Sequence, residues 1–332
     1  MILEYNLFII IKMKIKLFSR HIMVFICLIL CCLSCAKKEF SYSKFLVGGL
    51  CEVKFYHHNE KEAKRIISEI DTELIRIDSL LNRFSEKSLI TRLNKERKIQ
   101  APEDIVRLFL LSDSIARLTD GTFDISIAPL LELWGFYENN FKIPDTAEIE
   151  RVKKLVDYSR IQIRGDSIIL PQWLKVDLSG IAQGYAADRV ADIIKGHGIN
   201  SALINIGGEM VLLGRSSKNR PWRIGIRNPR GKGIIEVIEI TNGALSTSGD
   251  YEKFFMVEGI RYPHIIDPRT GFPAMHFVSV TILAKSAAFA DAIATAVAVM
   301  GPEKGMNFLD SLKIRGIMYY EENGELQRVE TE

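Results

Sequence analysis

The sequence predicts an α+β fold, one compact body of mixed, largely antiparallel sheets with packed helices. Two observations carry this. Helical and strand-like segments follow one another without a regular βαβ period, which argues against a doubly wound sheet. The strand-like runs are also short and bounded by turn residues. In RIQIRGDSIILP the alternation reverses about Gly165–Asp166, as in a hairpin. At 332 residues, 47% hydrophobic and 26% charged, the chain has ample material for a core.

The first 35 residues stand apart. Lys12, Lys14, Lys16 and Arg20 precede the apolar run IMVFICLILCCLS. That run is shorter than the roughly 20 residues that span a bilayer. With Ser34–Cys35 it reads as an export signal of lipoprotein type, with Cys35 lipidated as the new N-terminus. An uncleaved N-terminal anchor is the other reading. A start at Met13 gives the more regular signal, because LFIII near Met1 lies ahead of the basic residues. Residues 36–44 then read as a polar tether and 45–332 as one catalytic body. Four cysteines lie in the signal, leaving Cys51 alone in the mature body, with no disulfide framework and no cysteine metal site.

Along the mature chain, FLVGGLCEVKFY reads as a strand containing a glycine pair. Ile66, Ile67, Ile70, Leu74, Ile77, Leu80 and Leu81 recur at three-and-four spacing, so a long amphipathic helix runs to about Asn82. A second helix starts near Pro102 and stops before Gly121, and a third covers 146–158. KVDLSGIAQGYAADRV opens a helix reaching about Gly196, followed by SALINIGGEM as a buried strand. WRIGIRNP, IIEVIEIT, GALSTSG and SVTILAK add strands. SAAFADAIATAVAVMG and PEKGMNFLDSLK are the last two helices.

Charge excludes one class of partner. The 44 basic residues nearly balance the 41 acidic ones, and no basic block is interleaved with aromatics, so nucleic acid is not expected. The helix SAAFADAIATAVAVMG carries the sharpest chemistry. It is apolar nearly all round, yet Asp291 sits at its middle with Thr295 one turn on, on the same face. A carboxylate and a hydroxyl there suit Mg²⁺; a buried Asp held by an Arg or by backbone donors is the alternative. Asp177 closes an apolar run just before Ser179–Gly180 and Gly184, small residues that leave backbone open to an anion. TSGDYEKFF and RYPHIIDPRTGFP are dense in polar groups. His264 in the latter is a candidate general base or a structural histidine.

Read in order, LNRFSEKSLITRLN, DGTFDISIAPLLELWGF, VDLSGIAQGYAADRVADII, NIGGEM, PWRIGIRNP, STSGDY, HIIDPRTGFP and ADAIAT resemble the ApbE family, the FAD:protein FMN transferases. The resemblance covers nearly the whole chain from about residue 45. It implies an exported, often lipidated α+β protein that binds FAD with Mg²⁺. It implies transfer of FMN through a phosphoester bond to a Ser or Thr hydroxyl of an acceptor protein, releasing AMP. It further implies that Asp177 contacts the flavin cofactor and that the Gly180 carbonyl joins Asp291 and Thr295 as a metal ligand. Thr122, Phe123 and Asp124 match a flavin-contacting segment, and His264 a histidine near the reacting phosphate. Three segments depart from the family pattern. Val47, Gly48 and Gly49 stand for Met-Gly-Thr, Phe84 for a Tyr beside the cofactor, and Gln183 for a frequent Lys near the phosphates.

The implied partners are acceptor proteins with an exposed Ser/Thr flavinylation motif, such as subunits of membrane redox complexes. The implied location is the periplasmic face of a bacterial membrane, the inner one, through Cys35. Two alternatives share the site: a Mg²⁺-dependent FAD pyrophosphatase giving FMN and AMP, and a non-catalytic flavin-binding lipoprotein.

Overall fold

The computed structural model describes residues 37–331. The signal and Cys35 therefore lie outside the described residues. Among those described, no helix is long and apolar enough to cross a membrane.

Chain order gives β1 (Lys38–Leu46), β2 (Gly49–His57), α1 (Glu60–Leu81), α2 (Leu89–Glu96), β3 (Lys98–Gln100), α3 (Glu103–Leu118), α4 (Ala128–Leu133) and α5 (Thr146–Lys153). Then come β4 (Gln162–Arg164), β5 (Ser167–Ile169), α6 (Ser179–Gly196), β6 (Ala202–Ile206), β7 (Glu209–Leu213), β8 (Trp222–Arg227), β9 (Ile234–Ile240) and β10 (Gly243–Gly249). The chain ends with β11 (Phe254–Val257), β12 (Ile260–Pro263), β13 (Ser279–Ala284), α7 (Ala287–Met300), α8 (Pro302–Leu312), β14 (Arg315–Glu322) and β15 (Glu325–Glu330). The main sheet has eight strands in the order β1-β2-β6-β7-β10-β13-β14-β15, each paired antiparallel with its neighbour.

Helices cover one face of this sheet. α6 packs on α1, α7, β6 and β7, and α7 packs on β10 and β13. The β8–β9 hairpin covers the other face, with Trp222, Ile224, Ile226 and Ile238 meeting Leu212, Leu245, Ile317 and Tyr319. Burial on both faces explains why the first four residues of β13, Ser279, Val280, Thr281 and Ile282, are all buried although polar and apolar residues alternate. A third apolar cluster, built on Trp134, Phe136, Phe255 and Ile266, joins α4 and α5 to the β11–β12 hairpin. There the Trp134 indole N–H donates to the Gly271 carbonyl at 2.9 Å.

Four expectations change. Residues 36–44, expected as a tether, are mostly edge strand β1, fastened to α1 where Tyr42 and Lys44 both reach Asp71 at 2.8 Å. FLVGGLCEVKFY is not one strand but β1, a turn at Val47–Gly48, and β2. SALINIGGEM likewise breaks at Gly207–Gly208 into β6 and β7. The helix expected over 146–158 stops at Lys153, and the β14–β15 hairpin, unread in the sequence, completes the sheet edge.

Candidate active site

The first turn of α6, the middle of α7, the turn after β1 and the segment after β12 converge on a cavity of about 420 Å³. It is lined by Val47, Gly48, Phe84 and the 122–124 segment, by Asp177, Gly180 and Gln183, and by His264, Asp291 and Thr295, but not by Gly49 or Gly184.

One end is organised around Asp177. Its carboxylate takes an ion pair from Arg83, a hydrogen bond from the Tyr137 hydroxyl at 2.7 Å and one from the Ser179 N–H at 2.6 Å. Burial pushes this carboxyl up, but Arg83 and the hydrogen bonds outweigh it, and the group stays below its ordinary range. The Arg83 guanidinium lies 4.7 Å from the centre of the Phe84 ring and 4.3 Å from that of Tyr137. Phe84 itself stands at the rim, 68% exposed. Nearby, Lys253 reaches the Phe136 carbonyl, and its own carbonyl lies 3.1 Å from His264 Nδ1. Burial pushes the His264 imidazole down to about 4, against a partial offset from that carbonyl.

The other end is acidic. Asp291 Oδ2 accepts the Gly184 N–H at 3.1 Å, and burial pushes the carboxyl up to about 7. The side chains whose charge bears on it, Glu252 and Asp188, are acidic too. Asp188 is itself committed, taking the Ala287 and Ala288 N–H groups at 2.8 and 3.0 Å at the start of α7. Glu209 shares the wall with Asp291 and is pushed well up by burial and then by Asp291. Glu252, at the mouth, is raised to about 7 by the protein crowding it, despite Arg227.

Between the ends, Gly180 leaves helical geometry (φ −83°, ψ 15°) and kinks the first turn of α6. A Cβ there would lie 3.4 Å from both the Phe123 ring and Thr295 Oγ1, so Gly180, Phe123 and Thr295 are neighbours. Thr122 and Asp124 shape their own loop. The Thr122 hydroxyl donates to the Thr119 carbonyl at 3.0 Å, and Asp124 takes the Ser126 N–H and hydroxyl, both at 2.7 Å. Burial still raises the Asp124 carboxyl to about 6.

Two expectations shift here. Gly184 is not at the helix start with a free N–H. It lies inside α6, its N–H taken by Asp291, and a Cβ would meet the Ala287 carbonyl at 2.3 Å. Gln183, expected beside phosphates, donates its amide to the Val47 carbonyl at 3.1 Å. Val47 is β-branched yet adopts φ 52°, and its N–H is held by Asp78 at 2.9 Å. Arg83, Tyr137, Glu209 and Lys253 join the site without a role read from the sequence. For Glu209 the signal was a charge directly after a Gly-Gly turn at the head of an apolar strand.

Among the described residues, no three His, Cys, Asp or Glu side chains gather as a metal cluster. A cation here would draw on Asp291, Thr295 and backbone, completed by oxygens of its ligand. That set suits a hard cation such as Mg²⁺, and a buried carboxyl on which only acidic charges bear fits one.

An α+β body whose cavity is acidic at one end and basic at the other defines a site for a charged, partly aromatic ligand. Residues 47–318 match the ApbE family, and the chain belongs to it. It is 34% identical over 267 residues to a Vibrio cholerae FAD:protein FMN transferase, covering 77% of this chain and 80% of that one. The Treponema pallidum FAD:protein FMN transferase is 31% identical over 296 residues, covering 82% of each. The solved flavin transferase ApbE from Vibrio cholerae superposes with TM-score 0.80 at 30% identity, over 89% of this chain and 97% of that one. For the Thermotoga maritima ApbE protein the values are 0.79 and 32%, over 88% and 97%.

Proposed function

We infer that this chain is an FAD:protein FMN transferase that works with Mg²⁺ on a Ser or Thr hydroxyl of an acceptor protein. The observation that carries the reading is the one cavity lined by Arg83 and Lys253, whose charges act with Asp177 and His264, and by Asp291 and Thr295, where the charges that bear on Asp291 are acidic. The acceptor oxygen forms a bond to the phosphorus on the riboflavin side of FAD. The bond from that phosphorus to the bridging oxygen breaks, and AMP leaves with the bridging oxygen. Mg²⁺ held by Asp291, Thr295 and the Gly180 carbonyl would neutralise charge on the diphosphate and the departing AMP.

His264 takes the hydroxyl proton. The Lys253 carbonyl beside Nδ1 can only accept, so Nδ1 carries the hydrogen and Nε2 presents its lone pair. With its pKa held near 4 the ring is neutral at pH 7 and free to act as a base. A bound diphosphate, bringing negative charge, raises that basicity toward the working pH. Arg83 and Lys253 supply positive charge that Gln183, where a Lys is frequent in the family, does not. Phe84 offers a ring at the rim for stacking, without a phenol. A lipid anchor at Cys35 on the periplasmic face of the inner membrane completes the proposal, resting on the basic stretch, the short apolar run and Ser34–Cys35.

The test is to incubate the protein with FAD and Mg²⁺, with and without a candidate acceptor. The expected result is covalent flavin fluorescence on the acceptor with equimolar AMP. Free FMN and AMP formed equally fast without acceptor would make the site a pyrophosphatase, and unchanged bound FAD would make it a binder.

A further inference from the structure

Glu209 has no part in the reaction just drawn, yet it is one of the most constrained groups in the cavity wall. It heads β7 directly after the Gly207–Gly208 turn and is 6% exposed. Neither its Oε2 nor the hydroxyl of Ser246, opposite it on the paired strand, makes a hydrogen bond of ordinary geometry, although Ser246 lies close enough to offset part of the effect of burial on the Glu209 carboxyl. Glu209 lines the same cavity as Asp291, and the charges that bear on it, Asp291 and Glu252, are both acidic. A buried carboxylate oxygen without a full hydrogen bond, in the field of a second carboxylate, is unfavourable unless something positive, or a donor bound to it, lies within reach.

We propose that Glu209 is a positioning residue of the cation site, accepting a hydrogen bond from a water in the shell of the cation held by Asp291 and Thr295. The proposal rests on that cation being present, as in the function above. Mg²⁺ sheds its waters reluctantly, so a site with few protein ligands keeps several, and each needs an acceptor. Groups of this outer kind typically change metal affinity by about ten- to a hundredfold.

Glu209→Gln keeps the shape and removes the charge. The measurements are Mn²⁺ affinity by electron paramagnetic resonance with ADP present, and the rise in Tm on adding Mg²⁺ and ADP. The variant should bind Mn²⁺ about ten- to a hundredfold more weakly. It should show a smaller Mg²⁺-dependent rise, with Tm in EDTA equal to or above that of the wild type. Equal Mn²⁺ affinity in the two proteins overturns the proposal, as does a Tm lowered in EDTA with affinity unchanged. Should the Gln variant not fold, Glu209→Asp, which withdraws the oxygen but keeps the charge, carries the same comparison. Absence of Mn²⁺ binding by the wild type would overturn the cation site itself, a separate result.

Discussion

His264 faces the cavity from the end of β12, and burial holds its imidazole at about 4, below its ordinary 6.5. Between those two values the unfolded chain binds a proton that the native chain refuses, so stability from this group is lost as pH falls from 6.5 toward 4. The loss is at most about 3 kcal/mol. Raised carboxyls, among them Asp124 and Asp291, act in the opposite direction over an overlapping range, so the His264 contribution is seen by comparison. Urea denaturation of wild type and His264→Asn at pH 7 and pH 4.5 should show the wild type losing more stability on acidification. Parallel losses would contradict the assignment. The same variant should slow transfer by about 10²- to 10⁴-fold with little change in FAD affinity, as expected on removing a base. Gln183 illustrates a different constraint. Its amide is committed to the Val47 carbonyl, so a Lys at 183 would bring its charge to the cavity only by releasing that strained turn.

The contact between α6 and α7 sets the acidic end of the cavity, and two glycines of α6 test it with the same substitution. Gly184→Ala places a Cβ 2.3 Å from the Ala287 carbonyl oxygen, which is backbone and cannot rotate away. The helices must part, at a cost of about 1–3 kcal/mol, and the N–H on Asp291 moves with them. Gly196→Ala, at the last residue of the helix, meets nothing within 4 Å and gains up to about 1 kcal/mol of helix propensity. Tm should therefore fall for the first and hold or rise for the second; a rise for Gly184→Ala would refute the close approach. The helices were legible in the sequence because Ile66, Ile70, Leu74 and Ile77 repeat at helical spacing. The hairpins at Val47–Gly48 and Gly207–Gly208 were not, because apolar residues flank these tight turns on both sides and the period runs on through them. In the site, Asp291 and Thr295 were readable from one helix face. Arg83 on Asp177 was not, because that pair is made across 94 positions of chain by folding alone.

Taken as a whole, the molecule brings its sheet, helices and aromatic cluster to one cavity with separated charge. Arg83, Lys253 and His264 act on one another and on Asp177, while the charges that bear on Asp291 and Glu209 are acidic. The proposed anchor extends this to the cell. Cys35→Ala should leave a larger, unlipidated precursor, and a native chain that keeps residues before Cys35 by mass spectrometry would remove the lipoprotein reading. The claim that joins these scales is that FMN itself, rather than water-cleaved product, ends on a protein hydroxyl. Intact-mass spectrometry of an acceptor incubated with FAD, Mg²⁺ and either wild type or Asp291→Ala tests it most directly. The acceptor should gain FMN less one water on a Ser or Thr with the wild type and gain nothing with a folded Asp291→Ala. An unmodified acceptor with the wild type, or full modification by Asp291→Ala, would contradict it.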